Sequence, residues 1–114
     1  MQPVPPAQFE DVVADALDAL PPAVTASFHN VLVVVEDESE DDPELLGLYE
    51  GVPLTEREAY SGALPDRITL YRIPLCLLAE DLEDLVHEVR TTVVHEFGHH
   101  VGIDDDRLHE LGWG

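Results

Sequence analysis

The stretch HEFGHHVGIDD, residues 95–105, carries three histidines, one glutamate and two aspartates. His95 and His99 stand four positions apart, so on a helix their rings share one face, with Cβ atoms about 5–6 Å apart. Two imidazoles at that separation can converge on one zinc ion, with Zn–N bonds of about 2.0–2.1 Å. Glu96 lies about 100° further round the helix, where it flanks the ion without binding it. The spacing therefore predicts a metal site with an adjacent general base.

A third ligand is expected from the chain that follows the helix. Gly102 can adopt the left-handed conformation that ends a helix at little steric cost. The chain then turns back beneath the ion, and Asp105 is the predicted third ligand. Asp104, Asp105 and Asp106 would also stabilise the start of a following helix, which is the alternative interpretation of Asp105. Two imidazoles and one carboxylate leave Zn²⁺ one open position for water.

The pattern His95-Glu96-x-x-His99-x-x-Gly102-x-x-Asp105 resembles the zinc signature of the metzincin branch of the zincin-like metalloproteases. The small size and acidity of the chain also resemble the minimal zincin-like proteases that occur as stand-alone bacterial proteins. The resemblance implies that His95, His99 and Asp105 bind Zn²⁺ and that Glu96 is the general base. It further implies an active-site helix beneath a small sheet, whose edge strand binds an extended peptide antiparallel.

The function implied by the resemblance is zinc-dependent hydrolysis of peptide bonds in a peptide or protein substrate, by a metal-bound water with Glu96 as general base. Metzincins carry a methionine turn below the metal, whereas the only methionine here is Met1. The chain runs nine residues past Asp105, so the lower lobe of the cleft is expected to be missing. One alternative is therefore a non-catalytic zinc-binding module with a truncated cleft. A less favoured alternative is a non-haem iron enzyme, because that metal uses the same ligand set.

Length and charge limit the other classes of function. The 114 residues are expected to form one domain, residues 1–114. A net charge of −20, with only five basic residues, argues against nucleic acid and anionic membranes as partners and would attract basic peptides or cations. Cys76 is the only cysteine, which excludes an intramolecular disulfide and predicts a buried thiol. The N-terminal sequence lacks the features of a signal peptide, and we expect a cytoplasmic protein.

Hydrophobic periodicity in the first half of the chain predicts one helix and two strands. Apolar residues recur at three- and four-residue steps over residues 9–20, and two prolines then end the helix. The β-branched run VLVVV, residues 31–35, is typical of a strand covered on both faces. Residues 36–44 are almost all acidic and predict a solvated loop, with a calcium or basic-partner site as the alternative. Residues 46–51 predict a short strand.

The second half of the chain contains the predicted edge strand and the metal-bearing helix. Residues 67–75 alternate apolar with polar side chains and include a proline, which favours a strand at a sheet edge. Residues 68–73 are the part of that strand expected to bind the peptide. Apolar positions at helical spacing over residues 79–101 predict a helix of about 30 Å. A short last helix is expected to begin near Asp104.

These elements together predict an α+β fold, in which a three- or four-stranded sheet packs on a long metal-binding helix. His87 lies two helical turns before His95 and is expected to lie outside the site. The exposed strand edge would admit either a peptide or another copy of the chain, so the sequence leaves the oligomeric state open.

Overall fold

The computed structural model describes residues 1–25, 31–51 and 66–100. The helices are α1 (Pro6–Asp18), α2 (Pro22–Thr25), α3 (Arg72–Leu78) and α4 (Leu82–His100). The strands are β1 (Val31–Glu36), β2 (Gly47–Glu50) and β3 (Asp66–Tyr71). Within these ranges the protein combines helices with a three-stranded mixed sheet, which confirms the predicted α+β class.

The sheet has β3 at its centre. The strand order is β1-β3-β2, with β1 parallel and β2 antiparallel to β3. Ile68 of β3 pairs with Val33 on one side and with Tyr49 on the other, so these three side chains share one face of the sheet. Leu70 and Gly47 pair with each other on that same face. This face is the one that packs against α4.

Helix α4 contacts both α1 and the strands β2 and β3. Leu85, Val89 and Val93 repeat every fourth position and are completely buried, as an apolar helix stripe requires. The helix α1 contributes Phe9 and Ala16, which are also completely buried. The predicted apolar periodicity of both helices is therefore confirmed.

The predicted edge strand over residues 67–75 is wrong in two respects. β3 is the central strand, because β1 and β2 pair with its two edges. The strand also ends at Tyr71, and Pro74 is the third residue of α3. A proline is tolerated there because the first N–H groups of a helix have no intrahelical acceptor. Residues 68–73 therefore cannot form the peptide-binding edge.

The predicted burial of β1 on both faces is also wrong. Leu32 exposes 49% of its surface, and the strand lies at the edge of the described sheet. The other apolar side chains of β1 are half-buried. A short β-branched run thus shows that a strand forms, but its place in a sheet depends on pairing with distant residues.

The long helix starts three residues later than predicted. Ala79 ends α3 in extended conformation, and α4 begins at Leu82. The Asp81 carboxylate accepts a hydrogen bond from the Asp84 N–H at 2.8 Å, and the Asp84 carboxylate accepts one from the Glu80 N–H at 2.9 Å. The first bond satisfies an N–H group that a helix start leaves unpaired, and the second ties the residue before the cap to the first turn. Together they fix the first residue of α4.

The remaining predictions on local structure divide into those confirmed and those outside the described residues. Residues 37–44 are exposed except for a half-buried serine, as expected of a solvated loop, and Cys76 is buried. The predicted connection over residues 52–65 and the last helix near Asp104 lie outside the described residues. None of the described helices is both long and apolar enough to cross a membrane, and the cytoplasmic location stays a prediction.

Truncation of Leu85 tests the packing of α4. Because the side chain is completely buried, we expect Leu85→Ala to lower the free energy of unfolding by roughly 2–5 kcal/mol. Leu82→Ala is the matched control, since Leu82 is 44% exposed on the same helix and should change stability by about 0.5 kcal/mol or less. Urea unfolding followed by circular dichroism measures both values. Equal losses in the two variants would contradict the described packing.

Candidate metal centre

Helix α4 brings His95 and His99 together on one turn. Their ring centroids are 4.9 Å apart, with an angle of 67° between the ring planes. Both side chains are partly exposed, so solvent and a dissolved ion can reach them. The prediction that these two imidazoles share a helix face is confirmed.

Glu96 belongs to the same cluster. One carboxylate oxygen of Glu96 and one ring nitrogen from each of His95 and His99 lie within 4.8 Å of one another. The Glu96 Oε2 atom is 3.3 Å from Nδ1 of His99 and accepts a hydrogen bond from that ring. An imidazole that donates through Nδ1 presents the lone pair of Nε2 for a metal. The two imidazole nitrogens therefore fit a divalent cation such as Zn²⁺, with the Glu96 carboxylate beside them.

The edge strand β2 supplies a further contact to Glu96. The backbone N–H of Tyr49 donates a hydrogen bond to the Glu96 carboxylate. Leu46 and Tyr71 form a hydrogen-bonded pair across the β2–β3 ladder, so alternate residues of β2, including Gly47 and Tyr49, point their backbone groups away from β3. The Tyr49 N–H is therefore available to α4 without loss of a bond within the sheet.

Burial raises the pKa of the Glu96 carboxyl group above its ordinary value, because desolvation disfavours the charged form. Only 7% of this residue is exposed. His99, His95 and the Tyr49 N–H act in the opposite direction by stabilising the carboxylate. Burial is the largest of these causes, so the pKa is raised. A carboxyl group with a raised pKa is suited to accept and then return a proton near neutral pH.

A cavity of about 500 Å³ lies beside the cluster, between α4 and the chain segment that leads into β2. It is lined by Asp42, Glu44, Leu45, Leu46 and Gly47 from that segment and by Glu88, Thr91, Thr92, His95 and Glu96 from α4. His95 and Glu96 thus line a space large enough for part of a peptide.

The other residues singled out in the sequence are placed differently. Asp105 and Gly102 lie outside the described residues, so the third ligand stays a prediction. His87 is exposed on α4 and does not belong to the cluster. Tyr71 is a buried strand residue whose register places it on the face of the sheet opposite to Ile68.

Sequence reasoning missed the contribution of β2. Gly47 and Tyr49 were interpreted only as part of a short strand, yet Gly47 lines the cavity and Tyr49 holds Glu96. Tyr49 acts through its backbone N–H, which every residue except proline possesses. The residue type at position 49 therefore does not predict this contact.

Comparison with known families identifies the chain. The family described as zincin-like metallopeptidase matches residues 28–113, well over half of the chain. The chain therefore belongs to this family, and the resemblance seen in the sequence is confirmed at that level. The finer metzincin-type assignment, which depends on Gly102 and Asp105, stays a prediction. A comparison with curated proteins finds no match.

Removal of either histidine tests the metal centre. A ligand that binds only the folded state stabilises it, by about 2.7 kcal/mol at 100 times its Kd. We expect zinc to raise the free energy of unfolding of the wild type and to have almost no effect on His95→Ala or His99→Ala. Urea unfolding with and without zinc measures this difference. His87→Ala is the control on the same helix and should respond like the wild type. Equal stabilisation of all four proteins would show that zinc binds elsewhere.

Proposed function

We propose that this zincin-like metallopeptidase is a zinc-dependent endopeptidase that hydrolyses peptide bonds with Glu96 as general base. The observation that supports the proposal is the buried Glu96 carboxylate beside two imidazoles, in the wall of a cavity. Family membership supports protease activity with a bound metal. The domain is proposed to comprise residues 1–114.

The proposed zinc ligands are His95, His99 and Asp105. The two imidazoles come from one turn of α4, and Asp105 follows in the chain beyond that helix. When bound, zinc lowers the pKa of water and polarises the carbonyl group of a substrate. An ion held by two neutral imidazoles and one carboxylate keeps a net positive charge, which suits both effects.

Glu96 is proposed to move the proton that hydrolysis requires. Its carboxylate accepts a proton from the attacking water and returns it to the nitrogen of the leaving amine, as the C–N bond breaks. The raised pKa of the carboxyl group makes its carboxylate a better proton acceptor than that of a solvated glutamate. The hydrogen bonds from His99 and the Tyr49 N–H hold the carboxylate in one orientation.

The substrate is proposed to lie along β2, since β3 is paired on both sides. β2 is an edge strand of the described sheet, and Gly47 lines the cavity beside Glu96. The Gly47 N–H and C=O groups point away from β3, so they can pair with an extended peptide by strand addition. This location replaces residues 68–73 as the peptide-binding edge.

The variant Glu96→Gln tests the catalytic role. Glutamine keeps the shape of the side chain and cannot accept the proton, so we expect kcat to fall by about 100- to 10,000-fold. Zinc content should remain that of the wild type. Digestion of a peptide library followed by mass spectrometry measures cleavage, and elemental analysis after purification without added metal measures zinc.

Glu83→Gln is the matched control, because Glu83 is exposed in the first turn of the same helix and should leave kcat unchanged. Wild-type activity in Glu96→Gln would refute the proposed base. Zinc-dependent stability without cleavage of any peptide would favour the non-catalytic module, and iron in place of zinc would favour the non-haem iron enzyme.

Substitution of Asp105 tests the third ligand. We expect Asp105→Ala to weaken zinc binding by more than the roughly 10- to 100-fold that loss of an outer-shell partner costs. Asp106→Ala removes the same charge one residue later and should leave the Kd for zinc unchanged. Competition with a chromogenic chelator gives both constants. If the two variants bind zinc equally well, Asp105 acts only through its charge near a helix start.

A further inference from the structure

β2 approaches α4 closely at Gly47. A Cβ atom at this position would lie 2.6 Å from Cγ2 of Thr92, 3.2 Å from the backbone oxygen of Thr69 and 3.5 Å from Cγ of Glu96. The first of these distances is shorter than any contact that packed carbon atoms tolerate. Any side chain at Gly47 would therefore displace β2 from α4.

Thr92 is held in the orientation that creates this close contact. Its Oγ1 atom donates a hydrogen bond to the Glu88 backbone oxygen at 2.9 Å, and the residue is only 8% exposed. This bond restricts χ1, which is already limited in a β-branched residue on a helix. Thr92 is therefore poorly able to move its methyl group aside to accommodate a larger residue at position 47.

The contact between Gly47 and Thr92 is one of two successive contacts between the strand and the helix. Thr92 and Glu96 lie one turn apart on the same face of α4, and Gly47 and Tyr49 lie two residues apart on the same face of β2. Gly47 meets Thr92 through carbon atoms, and Tyr49 meets Glu96 through its N–H and the carboxylate. The distance between Gly47 and Thr92 therefore sets the distance between the Tyr49 N–H and the Glu96 carboxylate.

A second hydrogen bond, from the side-chain hydroxyl, also fixes Tyr49. The Tyr49 hydroxyl donates to Oδ2 of Asp66 at 2.6 Å, and Asp66 is almost completely buried. The strand therefore cannot rotate at Tyr49 to recover its bond to Glu96 if β2 moves outward.

We infer that Gly47 is a positioning residue for the general base: the absence of a side chain lets β2 approach α4 closely enough for the Tyr49 N–H to orient the Glu96 carboxylate. The inference rests on the proposed function for its catalytic consequence. The geometric part, the bond between Tyr49 and Glu96, is independent of metal and substrate.

The variants Gly47→Ala and Thr92→Ser, alone and combined, test this inference. Thr92→Ser removes the Cγ2 atom and keeps the hydroxyl that bonds to Glu88, and its kcat is the reference for the double variant. Gly47→Ala should lower kcat by about 10- to 100-fold, as expected for a displaced catalytic group, with the Kd for zinc unchanged. The double variant should regain most of the lost kcat. Unchanged kcat in Gly47→Ala, or no recovery in the double variant, would overturn the inference.

Amide hydrogen exchange supplies a readout that needs neither metal nor activity. In the metal-free protein, Gly47→Ala should speed exchange at the Tyr49 amide by about 10-fold or more, because its acceptor is lost. The double variant should slow that exchange again. Wild-type exchange in Gly47→Ala would overturn the inference. If the wild type cleaves no peptide, the proposed function fails, while this measurement still decides whether Gly47 positions Glu96.

If Gly47→Ala does not fold, a separate pair of variants tests whether the Tyr49 N–H orients the Glu96 carboxylate. Tyr49→Pro removes the N–H, and this is tolerable because that group points away from β3 on an edge strand. Tyr49→Ala removes the same ring and keeps the N–H. The inference predicts a kcat about 10-fold or more lower for Tyr49→Pro than for Tyr49→Ala. Equal kcat values in this pair would overturn it.

Discussion

The buried carboxylate of Glu96 is the group on which the arrangement of the described elements depends. A carboxylate removed from water costs several kcal/mol unless charges or hydrogen bonds compensate it. Here the compensation comes from two elements, with His95 and His99 on α4 and the Tyr49 N–H on β2. The helix and the strand must therefore keep a fixed separation. Packing of α4 against α1 and against the strands β2 and β3 provides that rigidity.

The sequence predicted those parts of the fold and the site that depend on neighbours along the chain. The helical period of Leu85, Val89 and Val93 identified α4 and its buried face. The four-residue spacing of His95 and His99 placed both rings on one turn, as the structure shows. Both features follow from helix geometry alone, which needs no information about the rest of the protein.

The order of the strands was not predictable in the same way. β3 was interpreted as an edge strand because of its polar residues and Pro74, yet Thr69 is only 2% exposed in the central strand and Pro74 belongs to α3. The apolar run of β1 suggested full burial, yet Leu32 is half exposed. Strand position is decided by pairing between distant segments, and a single segment records only its own tendency to be extended.

The site likewise has one part that the sequence predicts and another part that it does not predict. Glu96 shares α4 with other acids, and in the described part of that helix it is the only one buried. Its place between His95 and His99 predicts Glu96 as the base, but it does not predict that Glu96 is buried while Glu83 on the same helix is exposed. What separates a proton-transferring group from a solvated acid is the approach of β2, which excludes water and supplies a backbone donor. That approach depends on the absence of a side chain at Gly47, and a single glycine in a short strand is the sequence feature that corresponds to it.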